Sequence, residues 1–179
     1  MRNMTIGKYI LPGFMKPNNK EIHADWQWIV LCEEETKMLL LSRDIIDWDF
    51  YSGENTLFSP PIPSTWEKSY MRDLLAGLYE TCFEPADKDR ILTNGAGDHL
   101  FLLTAKEARK YLPKASLRTA EIQWDDMSRD RYCWWLNTYG YNSSMMQIVT
   151  EAGTIDTEGR DNDSDEIGIR PAMWVRRLP

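Results

Sequence analysis

Two apolar runs of strand length, WQWIVL at 26–31 and KMLLLS at 37–42, stand only a few residues apart. This spacing constrains the fold more than any other feature. Short, mostly apolar runs bounded by polar residues fit a strand better than a helix. The stretch between them, Glu33-Glu34-Glu35-Thr36, reads as a solvated turn. The pair therefore predicts a β-hairpin, and the first third of the chain reads as strands.

The middle of the chain has a different period. Residues 52–63 (SGENTLFSPPIP) hold three prolines and a glycine and read as a loop. Ser64-Thr65-Trp66-Glu67 then has the spacing of a capping box. Met71, Leu74, Leu75, Leu78, Cys82 and Phe83 recur behind it at three and four residues, which predicts one apolar helix face ended by Pro85. LFLL at 100–103 is a candidate buried strand. Thr104-Ala105-Lys106-Glu107 repeats the capping-box pattern and opens a second helix, with Ala105, Ala108, Tyr111 and Leu112 on one face and Pro113 as its stop. Residues 113–130 are mixed and polar, a long excursion.

The last fifty residues read as β-rich. Tyr132–Leu136 predicts one strand. Met145–Thr150 and Thr154–Thr157 flank Glu151-Ala152-Gly153 as a hairpin. The stretch 161–166 (DNDSDE) has no apolar residue and reads as a loop. Ile167–Val175 (IGIRPAMWV) closes the chain as a strand, and Pro171 within it points to an edge or a bulge. The fold class is α+β: hairpins, two helices, then antiparallel strands that end close to the C-terminus. At 179 residues the chain fits a single domain, 1–179.

Composition excludes several function classes. A net charge of −7 disfavours a nucleic-acid backbone or an anionic membrane as partner. Cys32, Cys82 and Cys133 are odd in number and far apart, so neither a disulfide framework nor a zinc site is expected. They read as small buried hydrophobes, and His23 and His99 as lone histidines. MRNMTIGKYI lacks the apolar run of a signal peptide, and no later segment is long enough to span a bilayer. As written, the chain is expected in the cytoplasm, or in a phage particle assembled there, or displayed on a surface by a partner.

Four stretches in order carry a resemblance: WQWIVL…KMLLLS, STWEKSYMRDLL, DHLFLLTAKEARKYL and WWLNTYG…GIRPAMWV. Together, over nearly the whole chain, they resemble an uncharacterised bacterial and phage domain family. Its members carry Trp-Trp-Leu-Arg-Ser near the C-terminus and a Val-Arg-Pro-Ala-Leu-Trp ending. That family is similar in turn to the C-type-lectin-like fold, which implies N- and C-terminal strands close together. The same fold class includes formylglycine-generating enzymes and the variable proteins of diversity-generating retroelements. In those variable proteins, rewritten adenines alter residues on the ligand-facing surface.

The resemblance implies a framework of Trp134, Trp135, Arg170 and Trp174, with a variable region at 132–175. Gly168 and Pro171 also match the family. Where the family has Leu-Arg-Ser-Pro-Gly, this chain has Leu136-Asn137-Thr138-Tyr139-Gly140. Asn137, Thr138, Tyr139, Tyr141, Asn142, Ser143 and Ser144 are all reachable from AAC or AAT by changing adenines. So are Asp161, Asn162, Asp163 and Ser164. These are the expected ligand-binding residues, and homo-oligomers are common among such proteins.

Their chemistry suits binding. Tyrosine offers amphipathic contact area at low entropy cost, and serine and asparagine offer adaptable hydrogen bonds. The ligand is expected to be protein or carbohydrate. The plain alternative is an ordinary solvated loop, since loops favour these residues anyway. No cofactor and no metal are expected. Asp161, Asp163, Asp165 and Glu166 are dense in carboxylate, but they lack the spacing of an EF-hand loop. Asp125 and Asp126 read as exposed acids rather than a catalytic pair. The chain is therefore expected to bind and not to catalyse. Two other readings stand behind it: a module of fixed specificity and, further off, a formylglycine-generating enzyme. Arg170 lies in an apolar strand and needs a partner, expected to be a carboxylate from the preceding loops.

Overall fold

Alternation along the hairpin strands decides the architecture. A computed structural model of the chain describes residues 2–15, 21–46, 66–123, 129–162, 164 and 167–177. Strands β1 (Asn3–Met15), β2 (Glu21–Glu33) and β3 (Lys37–Ser42) follow one another as antiparallel neighbours. In β3, Met38 and Leu40 face one core while Leu39 and Leu41 face another. Successive side chains point to opposite faces of a sheet, so an unbroken apolar run fits a strand covered on both sides. The hairpin predicted from 26–42 is present, and β2 begins five residues earlier than the apolar run.

Helix α1 (Tyr70–Cys82) covers the first face with Met71, Leu74, Leu75 and Leu78, packed against Trp26, Trp28 and Leu40. Its start differs from the sequence expectation. The N-cap is Ser69, whose hydroxyl accepts from the Arg72 amide, and Trp66–Lys68 forms a separate 3₁₀ turn. The Ser64 end of the predicted box and the 52–63 loop lie outside the described residues. Pro85 opens helix α2 (Pro85–Lys88) at its first turn, where a missing amide costs nothing. The described residues hold four α-helices where two were expected.

Strand β4 (Ile91–Leu92) follows, and then LFLL, which is buried as expected but is no strand. Only Phe101 there bridges to Ala172. Helix α3 (Ala105–Tyr111) carries the predicted capping box in full. Thr104 Oγ1 accepts from the Glu107 amide at 3.2 Å, and Glu107 Oε2 accepts from the Thr104 amide at 2.8 Å. The 113–130 excursion is partly ordered, as helix α4 (Ala115–Arg118) and the paired strands β5 (Glu121–Gln123) and β6 (Arg129–Arg131).

Three antiparallel strands close the chain's second sheet region: β7 (Trp134–Tyr139), β8 (Met145–Val149) and β9 (Ile155–Asp161), in that order. The 151–153 turn sits where predicted. Two boundaries move. β7 starts two residues later than expected and takes in Asn137, Thr138 and Tyr139, which had read as loop. β9 runs on to Asp161.

The last strand, β10 (Ala172–Arg176), enters the first sheet between β3 and β4, giving the order β1-β2-β3-β10-β4. It is a central strand, so the edge position expected from Pro171 does not hold. Pro171 precedes the strand. Its missing amide is not needed, and its carbonyl accepts from the Ser42 amide at 2.8 Å. The N- and C-terminal strands share this sheet, with β2 and β3 between them.

Residues 168–169 tie the sheets together. Gly168 bridges Trp134, and Ile169 bridges Ile46. Adjacent Trp134 and Trp135, both fully buried, then point into opposite cores. The doubled tryptophan anchors β7 on two sides at once.

Candidate functional site

The expected contact residues divide by what their side chains already do. At the buried side, the backbone amide of Asn137 donates to the Leu103 carbonyl at 2.9 Å. Thr138 Oγ1 accepts from the Ala105 amide at 2.9 Å. That amide belongs to the first residue of α3 and has no partner inside its own helix. Thr138 is thus a brace between β7 and α3, and both residues are half-buried.

Beyond them the chain emerges. Tyr139 is 43% exposed and Tyr141 84% exposed. Only one other large apolar side chain among the described residues, Leu117, is comparably open. Asn142, Ser143 and Ser144 are exposed in the turn to β8. Asn142 Oδ1 accepts from both the amide (2.8 Å) and the hydroxyl (2.7 Å) of Ser144, which fixes the turn from within.

The two expected clusters, far apart in sequence, meet here. Met145 pairs with Asp161, and the Asn162 amide donates to the Ser144 carbonyl at 2.9 Å. The Tyr141 amide donates to the Glu158 carbonyl at 2.8 Å. Gly140 permits this approach, because a Cβ there would fall on the Glu158 carbonyl. Gly159 holds the opposite side with φ +86, a conformation natural only to glycine. Tyr139, Tyr141, Asn142, Ser143, Ser144, Asp161 and Asn162 therefore gather at one end of the β7–β8–β9 sheet. Ser164 is half-buried and its amide donates to the Asp161 carbonyl. Asp163, Asp165 and Glu166 lie outside the described residues, as do Asp125 and Asp126.

At the other end of β7 stands Arg170, 1% exposed. The expected carboxylate partner is replaced by carbonyls. Nε donates to Ser42 (2.9 Å), Nη1 to Arg118 (3.3 Å) and Nη2 to Arg43 (3.2 Å). The guanidinium lies over the Trp134 ring, 5.1 Å from its centroid. Trp134 Nε1 donates to the same Arg118 carbonyl at 3.0 Å. Burial pulls the Arg170 pKa down to about 9, opposed by the nearby charge of Asp44. Arg170 therefore keeps its charge at neutral pH. Trp174 is half-buried beneath the Lys37 ammonium, 4.1 Å from the ring centroid.

Two clefts escaped the sequence reading. The first, about 420 Å³, lies between α1 and residues 97–100. Asp98 at its wall accepts from Trp66 Nε1 (2.7 Å) and from Arg72 Nε. His99 stacks on Tyr79 with 4.0 Å between ring centroids. The second, about 380 Å³, is lined by Arg43, Asp44, Leu117, Glu121, Arg131 and Arg170, among others. The first joins residues 72–80 to 97–100 and the second draws its lining from between residues 29 and 170, so no local motif announces them.

The cysteines are free and half-buried. Burial raises the thiols of Cys82 and Cys133, and the charge of Glu151 pushes Cys133 further. Among the described residues no three His, Cys, Asp or Glu side chains stand together as a metal site. No described helix is long and apolar enough to cross a membrane. Compared with family models, curated proteins and solved structures, the chain finds no match.

Proposed function

We propose that this chain is a non-catalytic binding protein with a C-type-lectin-like fold, whose contact surface is the exposed end of the β7–β8–β9 sheet. The observation that carries this reading is the meeting of two clusters. Tyr139 to Ser144 and Asp161 to Asn162 join through the Ser144–Asn162 backbone bond, with both tyrosines turned to solvent. Exposed tyrosine beside serine and asparagine is the vocabulary of adaptable protein contact. A protein ligand fits this surface better than a small molecule, because the residues form a face rather than a pocket.

The retroelement origin of that surface belongs to the same proposal. Contact side chains change without loss of fold only if the frame beneath is held independently. Trp134, Trp135 and Arg170 provide that support. The raised thiols of Cys82 and Cys133 disfavour the formylglycine-generating reading, which needs a reactive thiolate.

Sequencing codons 132–175 across a population of source cells tests the proposal. Substitutions at adenines, concentrated at 139–144 and 161–164 with Trp134, Trp135 and Trp174 fixed, are expected. An invariant region removes the retroelement reading and leaves a module of fixed specificity, to be pursued on protein and glycan arrays.

A further inference from the structure

We infer that the second cleft, at the Trp134 end of β7, is an oxyanion-binding site that takes a carboxylate or phosphate group of a small ligand. Arg170 forms its floor. A buried charge is ordinarily matched by an opposite charge in contact, because desolvation costs several kcal/mol per ion. Arg170 has no such contact among the described residues. Its three hydrogen bonds go to neutral carbonyls, which leaves two of its five N–H groups without an acceptor there.

The surroundings point the same way. Asp44, the carboxylate whose charge reaches Arg170, is in an ion pair with Arg43 at 3.2 Å. Arg131 stands at the exposed rim, opposite Glu121 in the β5–β6 pair, and its side chain makes no ion pair or hydrogen bond among the described residues. Three arginines against two carboxylates give the described lining an excess of positive charge, in a chain whose net charge is −7. Arginine's planar fork suits the two oxygens of a carboxylate or phosphate. Leu117, 36% exposed, adds an apolar wall for the rest of the ligand. The cleft volume suits a small molecule. This site is separate from the contact surface, at the far end of a six-residue strand and so roughly 17 Å away.

Isothermal titration with inorganic phosphate and with acetate, each against chloride at equal ionic strength, tests the inference. Saturable binding of at least one probe is expected, and Arg131→Gln should weaken it about tenfold. Because the Arg131 side chain is exposed and bonds to nothing described, that variant should unfold at the same denaturant concentration as the parent. Binding of phosphate alone assigns the site to phosphorylated ligands, and binding of both extends it to carboxylates. Absence of saturable binding by either probe overturns the inference. So does binding that Arg131→Gln leaves unchanged, or that Tyr141→Ala weakens equally.

Discussion

The two ends of strand β7 face opposite demands. At its start, Trp134 and Trp135 are fully buried and point into separate cores. At its end, Tyr139 and the following turn carry rings and amides in water. Between them, half-buried Thr138 had read as a contact residue, yet its hydroxyl is committed to the helix α3 amide. The comparison teaches that polarity in a sequence does not separate contact residues from braces. What separates them is whether the polar atom already has a partner inside the fold.

The buried end should be the most costly to disturb. Trp134→Ala removes a fully buried ring, its bond to the Arg118 carbonyl, and the face on which Arg170 lies. A loss of about 3–5 kcal/mol is expected, read as a lower midpoint in urea denaturation. Trp135→Ala should cost a similar amount in the other core. If either variant unfolds at the parent's midpoint, β7 is not anchored on both sides.

Arg170→Ala comes next. It leaves the Ser42, Arg43 and Arg118 carbonyls without this donor in the interior. Each buried acceptor left bare costs about 1–3 kcal/mol, offset in part by no longer burying a charge. The net expectation is about 3 kcal/mol, with Arg170→Lys close behind because an ammonium cannot span three divergent carbonyls. An unchanged melting temperature in both variants would falsify the bracing role.

These same positions show how much was legible in the sequence. The 26–42 hairpin and the Thr104 capping box could be read because their determinants are local: a strand-length period in one, a side chain three residues from its partner in the other. The 151–153 turn was legible for the same reason. The start of α1 was harder to read, because its cap is Ser69, with Arg72 rather than Glu or Gln three residues on to mark the box. Pro171 misled because proline is excluded only from positions that must donate, and it stands just before the strand. Arg170 was recognised as needing a partner, but its acceptors lie 52 to 128 residues away on backbone that any sequence supplies. The assembly of 139–144 with 161–162 depends on the β8–β9 register. The role of Thr138 depends on where α3 docks. Neither is a property of the segment itself.

Thr138 offers a sharper test of the comparison. Thr138→Val keeps the shape and removes the acceptor for the Ala105 amide. A loss of about 1 kcal/mol is expected, as for removal of a helix cap. Thr104→Ala, which breaks the capping box at the same helix start, should cost about as much. Combining the two should cost more than the sum, since both serve the first turn of α3. If Thr138→Val proves neutral for stability yet weakens binding, Thr138 belongs with the contact residues after all.

The smallest stability effect should come from the surface itself. Tyr141 is 84% exposed, and its backbone, not its ring, makes the bond to Glu158. Tyr141→Ala and Ser143→Ala should each shift stability by no more than about 0.5 kcal/mol. Asn142→Ala should lose slightly more, because its side chain holds the Ser144 amide and hydroxyl. The same Tyr141→Ala change should sharply reduce capture of a ligand selected against the parent chain, since an exposed aromatic is a natural interface anchor. Stability and binding would then respond in opposite order along one strand: tryptophan substitutions unfold the protein, and tyrosine substitutions leave it folded but unable to bind. A Tyr141→Ala protein that melts several degrees lower would mean that the ring packs on the frame, and the division between the two ends of β7 would fail.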